Sequence, residues 1–364
     1  MASLFQTFHP WALAALAAGS FATSFLLLRG LMRLFTRWKL LDNPQKYGYD
    51  RAPVPYGVGM VLWINFALWS PVLFSVLPAK ALPLVAFGAL VTAVSFWDDR
   101  RPLSPKIRLA IQLGIAAVIG ISSIKIGYVS GLFGGIQYLD LWDFSVGGVT
   151  VYPLPLLVTM AWYVLIFNAT NWSDGIPGLT SGLSAVVFTI MAALAVRLYF
   201  VDSTQAAREN SLFVLAACAV MIPAAVSFCL HDFRSKVIMG DAGSMFLGFM
   251  IASLAIVAGG KIATAASVFG LYIVDAFYVI ALRLWRRQNP MKGDRNIHLH
   301  HRLLQIGMTP TQVRVTIYVA AGSFGIASVF LDGMGKAILF AALAAFTVVL
   351  AKVLSLVKGK EDKA

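Results

Sequence analysis

The sequence predicts an all-α polytopic membrane protein, and three observations lead there. Hydrophobic residues make up 59% of the 364 and charged residues only 12%, with a mean hydropathy of +0.79. Soluble domains carry about 25% charged residues. Apolar runs of 14–22 residues recur about eleven times, most of them within the roughly 17–25 that a bilayer crossing takes. The basic residues gather in alternate loops between those runs.

Taken in order, the expected spans are Trp11–Leu28, Tyr56–Leu77, Leu82–Trp97, Ile107–Ile124, Leu154–Phe167, Leu179–Tyr199, Leu212–Leu230, Ser244–Ala258, Ala263–Leu284, Val313–Leu331 and Ala337–Val357. No Lys or Arg precedes the first. A secretory leader wants a basic start and a small-residue cleavage site, so this span is expected to stay as an anchor. The fifth and eighth are the shortest. With no repeat, low-complexity tract or composition shift, residues 1–364 form one integral-membrane domain of ten or eleven helices. Between the fourth and fifth spans, Ile136–Leu139 and Val149–Tyr152 flank Gly147-Gly148. They predict a small β-hairpin lying on the bilayer, a solvated linker being the plainer alternative.

Of the 29 Lys and Arg residues, 23 follow odd-numbered spans. Only Lys80, Lys125, Arg197, Arg208, Lys261 and Lys336 fall on the other side. The positive-inside rule makes the first side cytoplasmic. The N-terminus then lies outside, the C-terminus inside, and the protein sits in the inner (plasma) membrane. The formal net charge of +13 reflects these loops and suits anionic lipid or a phosphate-handling site. With so little soluble chain, nucleic-acid binding is not expected. Cys218 and Cys229 lie in one run, roughly 16 Å apart along a helix, too far for a disulfide.

Four polar segments interrupt the apolar chain, and the topology brings all of them to the cytoplasmic face. Asp98 and Asp99 end the third span, followed by Arg100, Arg101, Lys106 and Arg108. A solvated helix end with local ion pairs accounts for the pair. In a catalytic reading, one carboxylate accepts a proton or contacts a metal while the other orients it. Asn168, Asn171 and Asp174 stand at i, i+3, i+6, along one face if helical and in a loop if the helix breaks at Asp174-Gly175-Ile176-Pro177-Gly178. Such oxygen ligands suit Mg²⁺ better than zinc.

Gly240-Asp241-Ala242-Gly243-Ser244 opens the eighth span. Small residues there would let a phosphate approach free backbone N–H groups, with Asp241 anchoring Mg²⁺ or simply capping the helix. His298, His300 and His301, beside Arg295 and Arg302, form a phosphate-binding loop or a merely basic one. Asp275 is a mid-span carboxylate, costly in lipid, and structural support is its expected role.

Together these segments resemble the polyprenyl-phosphate N-acetylhexosamine-1-phosphate transferases. That family includes the phospho-N-acetylmuramoyl-pentapeptide transferase and the bacterial undecaprenyl-phosphate N-acetylglucosamine-1-phosphate transferases. The resemblance spans most of the chain and keeps the motif order. It runs from Asp42-Asn43-Pro44 with Pro53, Pro55, Gly57 and Gly59, through the aspartate pair, the Asn/Asp-Gly segment and Gly-Asp-x-Gly-Ser. It ends with Asp275, Asn289-Pro290, Asp294-Arg295 and the His298–Leu303 run.

The resemblance implies transfer of a sugar-1-phosphate from a UDP-N-acetylhexosamine to undecaprenyl phosphate, with release of UMP and a need for Mg²⁺ or Mn²⁺. It implies Asn171 and Asp241 as metal ligands, and Asp98 and Asp99 as catalytic or metal-supporting acids. Asp174 and His301 join the catalytic set. Lys106, Asn168, His298, His300, Arg302 and Arg51 are expected to hold substrate. A homodimer is compatible with it.

Two positions depart from the family pattern. The usual Asp-Gly-x-Asp-Gly reads Asp174-Gly175-Ile176-Pro177-Gly178 here, and Pro177 has no side-chain hydrogen bond to give. Arg51 stands where many members have a histidine. The His298–Leu303 run and the short link from Asp99 to Lys106 favour the N-acetylglucosamine type over the peptidoglycan transferase. A secondary transporter is the rival class. It would place ionisable residues at the midplane and show internal repeats, whereas most acids here sit at one face.

Overall fold

Proline and hydroxyl residues mark where the helices begin. The computed structural model describes residues 9–47, 52–131, 135–259, 262–288, 298–331 and 333–361. Among them thirteen α-helices follow one another. They are α1 (Pro10–Arg37), α2 (Val61–Val76), α3 (Pro78–Arg100), α4 (Pro105–Ile121), α5 (Pro153–Ser173), α6 (Leu179–Val201) and α7 (Gln205–Asp232), then α8 (Gly240–Val257), α9 (Ile262–Val268), α10 (Gly270–Trp285), α11 (Leu299–Gln305), α12 (Pro310–Phe330) and α13 (Gly333–Glu361). Proline opens α1, α3, α4, α5 and α12, where its missing N–H costs nothing and its fixed φ suits the first turn. Thr309 and Gln312 form a reciprocal capping box at α12.

The expected spans all correspond to helices. Among the described residues, nine are long and apolar enough to cross a membrane. A tenth arises if α9 and α10, bent by 78°, count as one span. The remaining one, α4, has 17 residues, about 26 Å at the usual helical rise. The fifth and eighth spans looked short because apolar counting stopped at Asn168 and started at Ser244. The helices themselves run on through the polar motifs to Ser173 and back to Gly240. The seven-residue α11, carrying the histidines, is an element the span pattern does not contain.

The core is built around α8, every residue of which is buried except Asp241. α3 and α5 pack against α8, while α7 packs against α6, α1 and α2. Small residues allow the close approach that membrane helices need, since lipid supplies no hydrophobic drive between them. Polar side chains add specific links. Asn65 donates to Ser20 Oγ (2.9 Å) and accepts from Thr23 Oγ1 (2.6 Å), and Ser20 donates to the Val220 carbonyl (2.7 Å). These bonds tie α1, α2 and α7 with every member satisfied.

The predicted hairpin exists with its second strand as expected and a different first strand. β3 (Phe144–Val146) pairs with β4 (Val149–Val151) across Gly147-Gly148, both at positive φ. A two-residue turn of this kind requires strands that abut it. Ile136–Tyr138 is too far upstream and, as β2, instead pairs with β1 (Tyr128–Ser130).

Candidate active site

The segment before α2 is threaded against the start of α8 by main-chain bonds. Gly57 N–H donates to Ile238 O (3.2 Å), Gly59 N–H to Met239 O (3.0 Å), and Ile238 N–H to Pro55 O (2.9 Å). Glycine is required here. A Cβ on Gly59 would lie 2.5 Å from Gly243 Cα, and one on Gly240, already at φ +72°, would lie 2.9 Å from Gly57 Cα. The glycines of Gly-Asp-x-Gly-Ser therefore serve backbone-to-backbone packing.

The two adjacent aspartates have different partners. Asp99 accepts from the backbone N–H groups of Asp241 (2.8 Å) and Ala242 (3.1 Å) and from the Tyr56 hydroxyl (3.0 Å). It caps α8, where a carboxylate meets the positive end of the helix dipole. Those two N–H groups are thus taken by Asp99 and are not the open phosphate cradle the sequence suggested. Asp98 accepts from Leu103 N–H (2.7 Å) and pairs with Arg108 Nε (2.8 Å).

Arg108 reaches a second carboxylate through Nη1, Asp241 Oδ2 at 3.1 Å. The other oxygen of Asp241 accepts from Asn171 Nδ2 (2.8 Å), and Asn171 also contacts Ser244 Oγ (3.3 Å). One turn earlier Asn168 donates to Gln112 Oε1 (2.9 Å) and the Val164 carbonyl (2.7 Å), which fixes α5 to α4. Lys106, by contrast, is exposed in the first turn of α4. Two residues along a helix is about 200° of rotation, so Arg108 and Lys106 cannot face the same acids.

Asp174 ends α5 and contacts Thr180 at the start of α6. Burial, and after it the carboxylates of Asp232, Asp241 and Asp99, push its pKa well above the usual carboxylate range. The turn that follows is gripped from outside. Gly178 N–H donates to Asp232 Oδ2 (2.7 Å), Arg314 Nη1 donates to the Pro177 carbonyl (2.6 Å), and the Tyr318 hydroxyl donates to the Gly178 carbonyl. Arg314 also lies over the Phe233 ring at 3.4 Å.

The histidine segment closes over this turn. His298 Nδ1 lies 2.9 Å from Asp275 Oδ2, and Leu299 N–H donates to Asp275 Oδ1 (3.1 Å). The His298 ring stacks on Trp172, centroids 5.6 Å apart. A Cβ on Gly175 would fall 2.1 Å from His300 Nε2 and 3.0 Å from His301 Nε2, so the glycine admits both imidazoles. Burial, and then His301 and His298, hold His300 well below its ordinary pKa. Arg302 turns toward Ala351 O (3.3 Å) and the Tyr278 ring (4.9 Å). Arg51, with Asn289, Pro290, Asp294 and Arg295, lies outside the described residues.

The structure thus gathers Asp98, Asn171 and Asp241, with Asp99, Asp174, Asn168 and the three histidines around them. Arg108, Tyr56, Asp232 and Arg314 are members the sequence reading passed over. Arg108 was findable, since it shares a helical face with Gln112 at i+4. Beside Asp98 and Arg108 a small apolar recess opens among Val91, Ile111, Ile115, Phe167 and Met245.

The donor set suits a hard cation. Among the described residues no three His, Cys, Asp or Glu groups converge as a complete metal site. Mg²⁺ needs no such cage, because it is held by one or two carboxylates plus waters and substrate phosphates. The Arg108 guanidinium between Asp98 and Asp241 already marks that place as one a cation occupies.

Residues 81–259 match the family described as Glycosyl transferase family 4. A Bacillus subtilis protein named probable undecaprenyl-phosphate N-acetylglucosaminyl 1-phosphate transferase is 27% identical over 86% of this chain and 83% of its own. A decaprenyl-phosphate N-acetylglucosaminephosphotransferase of Mycolicibacterium smegmatis is 28% identical over 91% and 85%. An undecaprenyl-phosphate alpha-N-acetylglucosaminyl 1-phosphate transferase of Salmonella typhi is 29% identical over 83% and 78%.

Proposed function

The chain belongs to glycosyl transferase family 4, and on that premise we propose that it transfers N-acetylglucosamine-1-phosphate from UDP-N-acetylglucosamine to undecaprenyl phosphate, starting a lipid-linked envelope glycan. One observation carries the reading. A cluster of acids, an amide and a guanidinium stands at the mouth of an apolar pocket within a multi-pass helical bundle. A substrate with an anionic head and a hydrocarbon tail would set its head on the cluster and the start of its tail along the apolar side chains beside it.

In the reaction an oxygen of the lipid phosphate attacks the sugar-bearing phosphorus of the donor. The bond from that phosphorus to the bridging oxygen breaks, and UMP leaves with the electron pair. Both reactants are anionic, so the main requirement is to offset charge and to align the two phosphates. Asn171, Asp241 and Asp98 would hold Mg²⁺ or Mn²⁺, which supplies that neutralisation when bound. Arg108 is the cationic side chain lining the pocket and would bind the acceptor phosphate. Asp174, its pKa raised by burial, stands beside the cluster and would contact a phosphate oxygen. His301 and His300 face the turn at Gly175 and would contact the donor. Asp99 and Asp275 hold α8 and the histidine segment in position. Lys106, at the exposed start of α4, would draw anionic substrate from the cytoplasm, since the basic loops imply that this face is the inner one.

Purified protein incubated with undecaprenyl phosphate, Mg²⁺ and a panel of UDP-sugars should release UMP with the N-acetylglucosamine donor. Folded protein that releases no UMP with any donor would refute the reading.

A further inference from the structure

Asp98 and Asp241 come from different helices, α3 and α8, yet one guanidinium serves both. Arg108 Nε lies 2.8 Å from Asp98 Oδ2 and Nη1 lies 3.1 Å from Asp241 Oδ2. The two carboxylates are 3% and 23% exposed at their side chains, while Arg108 is 36% exposed. Asp98 is enclosed, and Arg108 is the most exposed of the three, so the guanidinium is the member that can leave with the acids in place. Two ionised carboxylates brought together in a partly dry site repel unless a positive charge stands between them. A divalent cation held by Asp241 and supported by Asp98 would occupy the same region, and it cannot share that region with a guanidinium.

We propose that Arg108 is an exchangeable internal counter-ion. In the metal-free protein it neutralises Asp98 and Asp241 and keeps the site assembled. Loading of the divalent cation displaces it toward the adjoining pocket, where the freed guanidinium binds the acceptor phosphate. Arg108 thus touches acids in one state and substrate in the other, and metal and acceptor binding become coupled through one side chain. The inference rests on the metal reading given above. Reciprocity follows from linkage: if metal frees Arg108 for the phosphate, phosphate at Arg108 must favour metal binding equally.

Mn²⁺ binding without either substrate tests this, read by the loss of the free-ion electron paramagnetic resonance signal on titration into detergent-solubilised protein. Arg108→Gln removes the competing charge and should tighten Mn²⁺ binding by at least about fivefold, the lower end of ordinary coupling. Equal or weaker affinity in that variant overturns the counter-ion role while leaving the metal reading intact. Failure of both proteins to bind Mn²⁺ overturns both. The wild-type protein supplies an independent measurement that no folding defect can obscure. Modification of Arg108 by phenylglyoxal, followed by peptide mass spectrometry, should increase when Mn²⁺ alone is added, with the remaining arginines as internal controls. Unchanged or reduced modification of Arg108 in the presence of bound Mn²⁺ overturns the displacement.

Discussion

Asp275 holds His298 from inside the tenth helix, its Oδ2 lying 2.9 Å from His298 Nδ1. The same carboxylate accepts from Leu299 N–H through its other oxygen, so one acid sets both the imidazole and the start of α11. Asp275→Ala should lower kcat about 10- to 100-fold by letting the histidine segment drift from the turn at Gly175. Asp275→Asn, which keeps an acceptor, should fall less. Steady-state UMP release for the two variants checks the ordering, and equal rates would remove the positioning role.

Asp241 is the single residue of α8 that is not buried, and it faces both Asn171 and Arg108. Asp241→Asn keeps the shape and removes the charge. Turnover should fall by at least about 100-fold, and Mn²⁺ affinity should drop while the melting temperature stays close to wild type. Unaltered Mg²⁺ dependence of the variant would take Asp241 out of the metal set.

The turn that lacks a second acid at Pro177 is held by an acid from α7. Asp232→Ala leaves the buried Gly178 N–H without its acceptor and should cost about 1–3 kcal/mol. Asp232→Asn retains an amide oxygen for that N–H and should cost less. Thermal melts of the two variants decide the matter, and an Ala variant as stable as the Asn one would show the bond to be dispensable.

His300 gives stability a pH dependence of known sign. Its folded pKa is depressed by burial, whereas the unfolded value is near 6.5. Below about pH 6.5 the unfolded chain takes up a proton that the folded chain refuses, so stability is lost as pH falls and is unaffected above. One group changes it by at most about 1.4 kcal/mol per pH unit. Melting curves from pH 8 to 5 should show a steeper acid loss for wild type than for His300→Gln. Parallel curves would contradict the neutral, buried imidazole.

The sequence made much of this legible because a membrane converts composition into geometry. Apolar runs marked the helices, and Asp98, Asn171 and Asp241, separated in sequence by 70 residues or more, were expected on one face and do meet. What stayed hidden depended on rotation and on distant partners. Whether Lys106 or Arg108 faces the acids is a matter of about 200° around one helix. Asp99 looked equivalent to Asp98, because its true partners, the N–H groups of α8, lie 142 and 143 positions away. Asp232 resembled any polar residue at a helix end until the Pro177–Gly178 turn was placed against it.

The glycine seam constrains how this enzyme can move. Where Gly57 and Gly59 lie against Gly240 and Gly243, main chain rests on main chain, with the Asp99 and Met239 side chains packed at its edge. The loop before α2 and the head of α8, which carries Asp241, are therefore joined through main chain, and Asp99 of α3 is bonded to both. A methyl group at Gly59 or Gly240 would part the two segments and carry Asp241 away from Asn171.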